Sequence, residues 1–363
     1  MALLHFNGMV AGDSTRLPAG FTGTTASVGT GSAASRTTSS ANEVSAGAVY
    51  VTGSTNTSST SSARLDGIRL PVVPSPRLFT GFGFRRIGSN TSYRGHICSF
   101  WDGPTSILWI GEVDGTYASD AEVRLGGQTG TVVATISALT HPLFDGSWWY
   151  IEIDLTCDPV NGAVKIRING SDVVVDISGL NTGTQLDGLV LGYGGYSSYS
   201  TKSYAFDDLY VCDDTGPAYN TWLGPVRVSD RDPTSLTNVT GWTDETGAAL
   251  TYGDLNDFED TSSDTSYAQT STDGAAFTTG YDGTVTSPQV AAVQVVYLCQ
   301  DVGDATSTLD TTLTVDAVES APVPVSVPPT MDVRAARFDT APDGTPWTAA
   351  KANAVTVKTV GNL

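Results

Sequence analysis

Ser147-Trp-Trp-Tyr-Ile-Glu-Ile-Asp-Leu-Thr156 is the stretch on which the fold turns. In an extended chain Trp149, Ile151, Ile153 and Leu155 fall on one side, and Trp148, Tyr150, Glu152 and Asp154 on the other. That alternation is a half-buried strand. Asn161-Gly162 follows, then Val164, Ile166 and Ile168 alternating with Lys165 and Arg167, then Asn169-Gly170, then an apolar run over 173–177. Asn-Gly suits the type I′ turn, whose two central residues both take positive φ. The block reads as a three-strand meander with two tight hairpins.

Similar short runs lie upstream at 48–52, 78–87, 96–101, 107–113, 121–125 and 131–136, and downstream at 188–193 and 204–212. Gly, Pro, Asn and Asp clusters separate them, and no 3.6-residue period intervenes. This predicts an all-β fold of stacked antiparallel sheets, a β-sandwich over 1–215. Residues 22–62 are mostly Gly, Ser, Thr and Ala. They read as a surface excursion, or as a segment ordered against a neighbouring subunit. Gly and Pro interrupt the pattern over 216–232, a linker to a smaller β-rich domain at 233–363. There, 254–264 reads as an acidic loop, 290–298 as a core strand and 308–315 as an alternating strand. Val323-Pro-Val-Ser-Val-Pro-Pro reads as an edge or an extended connector, because proline has no N–H to donate. Thr345 and Pro346 form the one proposed helix start, as cap and first helical residue.

Composition narrows the function. Charged residues make up 15% of the 363, against about 25% in an average soluble protein. With 39 Gly and 17 Pro, this argues against a coiled coil or helical bundle. A net charge of −20 repels phosphate backbones and anionic lipid headgroups, so neither nucleic acid nor membrane insertion is expected. The four cysteines stand far apart without a C-x-x-C pair, and the three histidines are isolated, so a zinc site or His-paired nucleophile has little material. The first residues lack a basic start and a long apolar run, so no signal peptide is expected.

Phe206-Asp-Asp-Leu-Tyr-Val-Cys-Asp-Asp-Thr-Gly, taken with the strand at 148–153 and the hairpin at 161–170, resembles the closing strands of the concanavalin A-like, laminin-G-like jelly roll. The continuation Leu223-Gly-Pro-Val-Arg-Val, Gly241-Trp242, Asp264-Thr-Ser-Tyr267, Val290-Ala-Ala-Val-Gln-Val and Asp343-Gly-Thr-Pro-Trp-Thr resembles a two-part layout of virion proteins of tailed bacteriophages. The resemblance covers about residues 78–350, as an ordered set of motifs, and departs at 22–62. It implies a structural virion protein of the tail, fibre or head decoration, made in the bacterial cytoplasm. Its expected partners are further copies of itself and other virion proteins.

Glu152-Ile-Asp-Leu-Thr-Cys-Asp158 is similar to the strand motif of retaining β-glucanases of this fold. Retaining hydrolysis needs two carboxyl groups about 5–5.5 Å apart, which Glu152 and Asp154 satisfy on one strand face. The further glutamate of that pattern is replaced by Thr156 and Cys157, so the pair reads as solvated carboxylates and no enzyme is expected. Tyr193, Tyr196, Tyr199 and Tyr204 sit among Gly and Ser, a composition on which sugar rings or a partner subunit stack. They mark the alternative function, a glycan- or receptor-binding adhesin. No cofactor is expected except calcium, for which Asp207, Asp208, Asp213 and Asp214 supply hard oxygens without the spacing of a dedicated loop. Trp222, Leu223, Trp242 and Trp347 are the candidate interface residues, each equally able to pack within its own domain.

Overall fold

The structure is a computed structural model that describes residues 3–7, 22–23, 49–53, 68–86, 95–112, 119–192, 202–215, 219–226, 231, 233–255, 267–281, 283–286, 290–303, 307–330 and 332–363. The chain divides into two compact units, Met1–Val228 and Ser229–Leu363.

In chain order the first unit carries β1 (Leu3–Asn7), β2 (Thr22–Gly23), β3 (Val49–Gly53), β4 (Ile68–Ser75), β5 (Arg77–Arg86), β6 (His96–Asp102), β7 (Thr105–Glu112), β8 (Ala121–Leu125), β9 (Thr131–Ile136), β10 (Trp149–Thr156), β11 (Gly162–Ile168), β12 (Asp172–Leu180), β13 (Leu186–Leu191) and β14 (Lys202–Asp213). One sheet runs β1-β14-β5-β10-β11-β12, with β3 also on β14; the other runs β2-β4-β13-β6-β7-β8-β9. Every pairing among the described residues is antiparallel, and the unit is a jelly-roll β-sandwich. Ile151, Ile153, Leu155, Val164, Ile166 and Phe82 from the first sheet pack against Ile97, Phe100, Leu108, Ile110, Val123 and Leu189 from the second.

The meander β10-β11-β12 is present, but only one of its two Asn-Gly turns is of the expected kind. Asn169 and Gly170 have φ of 50° and 76°, as a type I′ turn requires. At the other, Asp158 accepts hydrogen bonds from the N–H groups of Val160 and Asn161 and closes a longer loop. Gly162 already belongs to β11, where a Cβ would stand 1.9 Å from Thr182 Oγ1. β4 escapes the sequence reading because it contains Pro71 and Pro74. Among the described residues β2 pairs only with Arg69 and Ile68, so on that side neither proline interrupts a described ladder.

β14 changes sides halfway along. Tyr204 and Phe206 face the core, and so do Leu209 and Val211, which an unbroken period of two forbids. The register shifts between Asp207 and Tyr210, and Asp208 takes φ of 48°, so one extra residue is absorbed as a bulge. Tyr210 thereby points out of the sandwich.

The second unit carries β15 (Pro233–Thr240), the 3-10 turn η1 (Tyr252–Leu255), β16 (Ala275–Tyr281), β17 (Val293–Cys299), β18 (Thr308–Val315), β19 (Val318–Glu319), β20 (Val323–Ser326), β21 (Asp332–Phe338), α1 (Ala349–Asn353) and β22 (Thr356–Asn362). One sheet runs β15-β16-β22-β18-β19, with β20 also on β18; β17 and β21 form a separate ribbon. Leu313, Val325, Ala336, Phe338, Trp347 and Val357 build its core. The Tyr297 hydroxyl ties the ribbon to the sheet, lying 2.8 Å from Thr311 Oγ1 and 3.0 Å from Thr359 Oγ1. The proline-bearing β20 lies at an edge, as read, whereas the strand expected over 290–298 is half of a two-stranded ribbon.

The helix starts three residues later than the sequence suggests. Thr348, not Thr345, is its N-cap and accepts from Lys351 N. Thr345 is engaged elsewhere, donating its hydroxyl and its N–H to Asp343, which also receives Lys351 Nζ at 2.6 Å. The Lys351 hydrogen bond, with the Thr345 donors behind it, holds the Asp343 carboxyl down to about 2, against an ordinary 3.8. Because the folded value is depressed, this contribution is complete above 3.8 and is lost as pH falls towards 2. A carboxyl-carbon NMR titration of Asp343 should therefore have its midpoint near 2, and Lys351→Met should move it upward. A wild-type midpoint at 3.8 contradicts the arrangement.

Candidate functional site

The outward face of β14-β5-β10-β11 gathers the polar side chains of the acidic strand. Glu152 and Asp154 do stand opposite Ile151 and Ile153, but they are not solvated: Glu152 is fully buried and Asp154 nearly so. β10 and β11 pair with Glu152 directly across from Arg167, and the two form a bidentate ion pair at 2.7 and 2.8 Å. Glu152 Oε1 also accepts from the Tyr210 hydroxyl at 2.7 Å and from Gly224 N at 2.9 Å. Asp154 is clasped by Arg77 through Nε and Nη2 at 2.9 and 2.8 Å, and the Arg77 guanidinium lies over Phe79.

These bonds fasten a strap. After β14 the chain crosses the face at 222–225. Trp222 lies over the Arg167 guanidinium at 4.5 Å, Leu223 N donates to the Tyr210 hydroxyl, and Gly224 N reaches Glu152. Pro225 rests on the hairpin turn, where a Cβ at Gly170 would come within 2.6 Å of its Cδ. Gly81 makes room beneath, since a Cβ there would stand 2.3 Å from the Tyr210 ring and 3.0 Å from that of Tyr150. The Tyr150 hydroxyl donates to Asp208 O at 3.0 Å, beside the bulge. Burial pushes both Tyr150 and Tyr210 well above the usual phenol range, with Asp208 and Glu152 adding to the effect on Tyr150 and Glu152 to that on Tyr210. Both stay protonated as donors, and the carboxylate oxygens are committed to the strap.

A second buried ion pair lies inside the sandwich. Arg86 of β5 and Glu112 of β7 are both fully inaccessible and meet at 2.5 Å, with the Tyr204 hydroxyl 3.2 Å from Glu112 Oε2. Nearby on β6, His96 Nδ1 contacts Gly192 O, and its ring stacks on Trp109 at 6.1 Å.

The predicted sites distribute as follows. Tyr204 is fully buried against Phe84 and Glu112, so it is corrected from glycan ligand to core residue; Tyr193, Tyr196 and Tyr199 lie outside the described residues. The calcium reading is corrected too. Asp207 and Asp208 are buried at the bulge, Asp207 Oδ1 accepts Asp208 N, and Asp213 Oδ1 accepts the N–H and hydroxyl of Thr215 while Asp214 is exposed. Among the described residues no group of three or more His, Cys, Asp or Glu side chains converges on a metal position. Trp347 packs inside its own unit, donating its indole N–H to Phe338 O, which corrects its reading as an interface residue. Trp222 and Leu223 are half-buried in the strap, and Trp242 is half-buried edge-on to Phe277 at 5.2 Å.

The sequence reading missed Arg167, Tyr210 and Arg77 as partners of the acids. Arg167 faces Glu152 across the loop at 157–161, whose length Asp158 sets, so counting from either Asn-Gly pair does not bring the two together. Tyr210 was hidden by the bulge.

No protein-family model matches the sequence, and no curated protein does. Solved structures with a similar fold include the cellulose-induced protein Cip1, at 13% identity and a TM-score of 0.36, covering 61% of this chain and 93% of that one. They include the alginate lyase AlgAT5 of polysaccharide lyase family 7, at 12% identity and a TM-score of 0.34, covering 45% and 77%. An alginate lyase from Corynebacterium sp. matches at 13% identity and a TM-score of 0.33, covering 45% and 76%. At these identities the likeness is one of fold alone. It nevertheless corrects the expectation that the chain is no enzyme, because polysaccharide lyases stand among the structures with this jelly roll.

Proposed function

We propose that the chain is a structural component of a tailed-bacteriophage virion, in the tail, its fibres or the head decoration. It is made in the bacterial cytoplasm and assembles with copies of itself and with other virion proteins. One observation carries the reading: the residues of the resemblance act together as one architectural device. Phe206-Asp-Asp-Leu-Tyr contains the bulge that turns Tyr210 outward, and Trp222-Leu-Gly-Pro is the strap that Tyr210, Glu152 and Arg167 hold. Such a motif directs the outgoing chain along a defined path across the jelly roll, as a two-part building block requires.

The reading is tested by measuring the mass of the purified full-length chain and screening it on a glycan array. A discrete oligomer without sugar binding is expected. A strictly monomeric chain that binds a glycan overturns it in favour of an adhesin.

A further inference from the structure

On the flank of the first unit where β9 lies against β12, a leucine is held out into solvent. Leu139 is 96% exposed, on the turn that follows β9. The turn beneath it is fixed. Ala138 N donates to Asp120 Oδ1 at 2.8 Å, Leu139 N to Ser137 Oγ at 3.3 Å, and Thr140 N and His141 N to Ser137 O at 3.2 and 2.9 Å. Every backbone N–H from 138 to 141 is thus satisfied within the chain, and Leu139 is presented in one place.

The turn rests against the start of β12. His141 Nε2 stands 3.5 Å from Asp172 Oδ2, and the His141 ring lies edge-on to Trp149 at 6.4 Å. Val173, the next residue, is 52% exposed, and Val132 on β9 is 42% exposed. Of the five large apolar side chains that the described residues of the first unit leave exposed, this flank holds three. One such side chain is ordinary, whereas three on one flank make a surface that a partner can cover. The rim is acidic. Asp120 anchors the turn, Asp145 accepts from Ser147 N and the Trp149 indole N–H, and Asp172 is exposed. Lys165 is already taken by Asp176 at 3.2 Å.

We infer that this flank docks a different protein, one whose apolar recess, rimmed by Lys or Arg, receives Leu139. This names the chemistry of a partner within the assembly reading and rests on that reading. Charge selects the occupant. The carboxylates of the rim and the net charge of −20 repel a second copy, anionic lipid and nucleic acid alike, and attract a basic surface. Preorganisation favours the same contact, because a turn already fixed in place has little freedom left to lose on binding.

The test is to pan a library of random short peptides on the immobilised full-length chain, at about 0.05 M and about 0.5 M ionic strength. The recovered peptides should join a large apolar residue to Lys or Arg and should be released at the higher salt, where the charges are screened. Leu139→Asp should weaken their binding about tenfold or more, and Asp172→Lys should weaken it as well. Val73→Asp, exposed on β4 at the far side of the same sheet as β9, should leave it unchanged. All three sites are exposed, so the variants should keep the thermal transition of wild type. Peptides held as tightly by Leu139→Asp as by wild type, acidic peptides, or no recovered peptide refute the docking flank; the assembly reading survives if the chain is still a discrete oligomer. A monomeric chain that binds a glycan overturns the assembly reading and, with it, this partner.

Discussion

Glu152→Ala is expected to cost about 3–5 kcal/mol of unfolding free energy and to lower the thermal transition by roughly 10 °C. The carboxylate answers the Arg167 guanidinium, the Tyr210 hydroxyl and the Gly224 N–H together, and it is wholly buried. Removing it strands a largely buried cation and two buried donors at once, a cost that exceeds the value of any one of the bonds. Glu152→Gln keeps an acceptor oxygen but loses the charge, and should fall between alanine and wild type. The strap should report the change directly. Trp222 lies on Arg167, so its emission should shift towards that of a solvated indole before the global transition. Denaturant unfolding of the full chain, read by tryptophan fluorescence, checks both effects. A Glu152→Ala protein within 1 kcal/mol of wild type would mean that the strap is held by something other than this face.

Arg86→Ala should cost a similar amount, about 3–5 kcal/mol, for a different reason. Neither Arg86 nor Glu112 touches water, so the pair has surrendered its hydration and is recompensed by the mutual contact. Deleting the cation leaves Glu112 buried beside the Tyr204 hydroxyl without this guanidinium. The joint replacement Arg86→Met with Glu112→Leu removes both charges and should recover most of the loss. The double variant would then be more stable than Arg86→Ala alone. If the single losses simply add in the double variant, the two groups are not coupled and the buried pair is not what holds these strands.

The sandwich was legible because its strongest signal is local. The alternation through Trp149, Ile151, Ile153 and Leu155, and the Asn169-Gly170 turn, each follow from a few neighbouring residues. What stayed hidden depends on residues far apart in the chain. Glu152 reads as a solvated acid until Tyr210 and Gly224, 58 and 72 positions away, come to cover it. Tyr204 resembles a sugar-stacking aromatic because its Gly- and Ser-rich neighbours suggest a loop, yet β14 carries it into the core. The helix cap was misassigned between two threonines because Asp343 had claimed the first. Buried charge is where sequence pattern says least, since the same letters serve on the outside.

The extra residue at Asp207-Asp208 also sets how this strand can change over evolutionary time. Substitutions on either face leave its sidedness intact, and so does losing Asp208, which closes the bulge into an ordinary ladder with Leu209 opposite Phe82, Tyr210 still opposite Gly81 and Val211 opposite Thr80. A codon lost elsewhere in the strand turns the residues between it and the bulge inside out. A scan of single-codon deletions along β14 should therefore find its mildest loss at Asp207-Asp208 and deeper losses on either side.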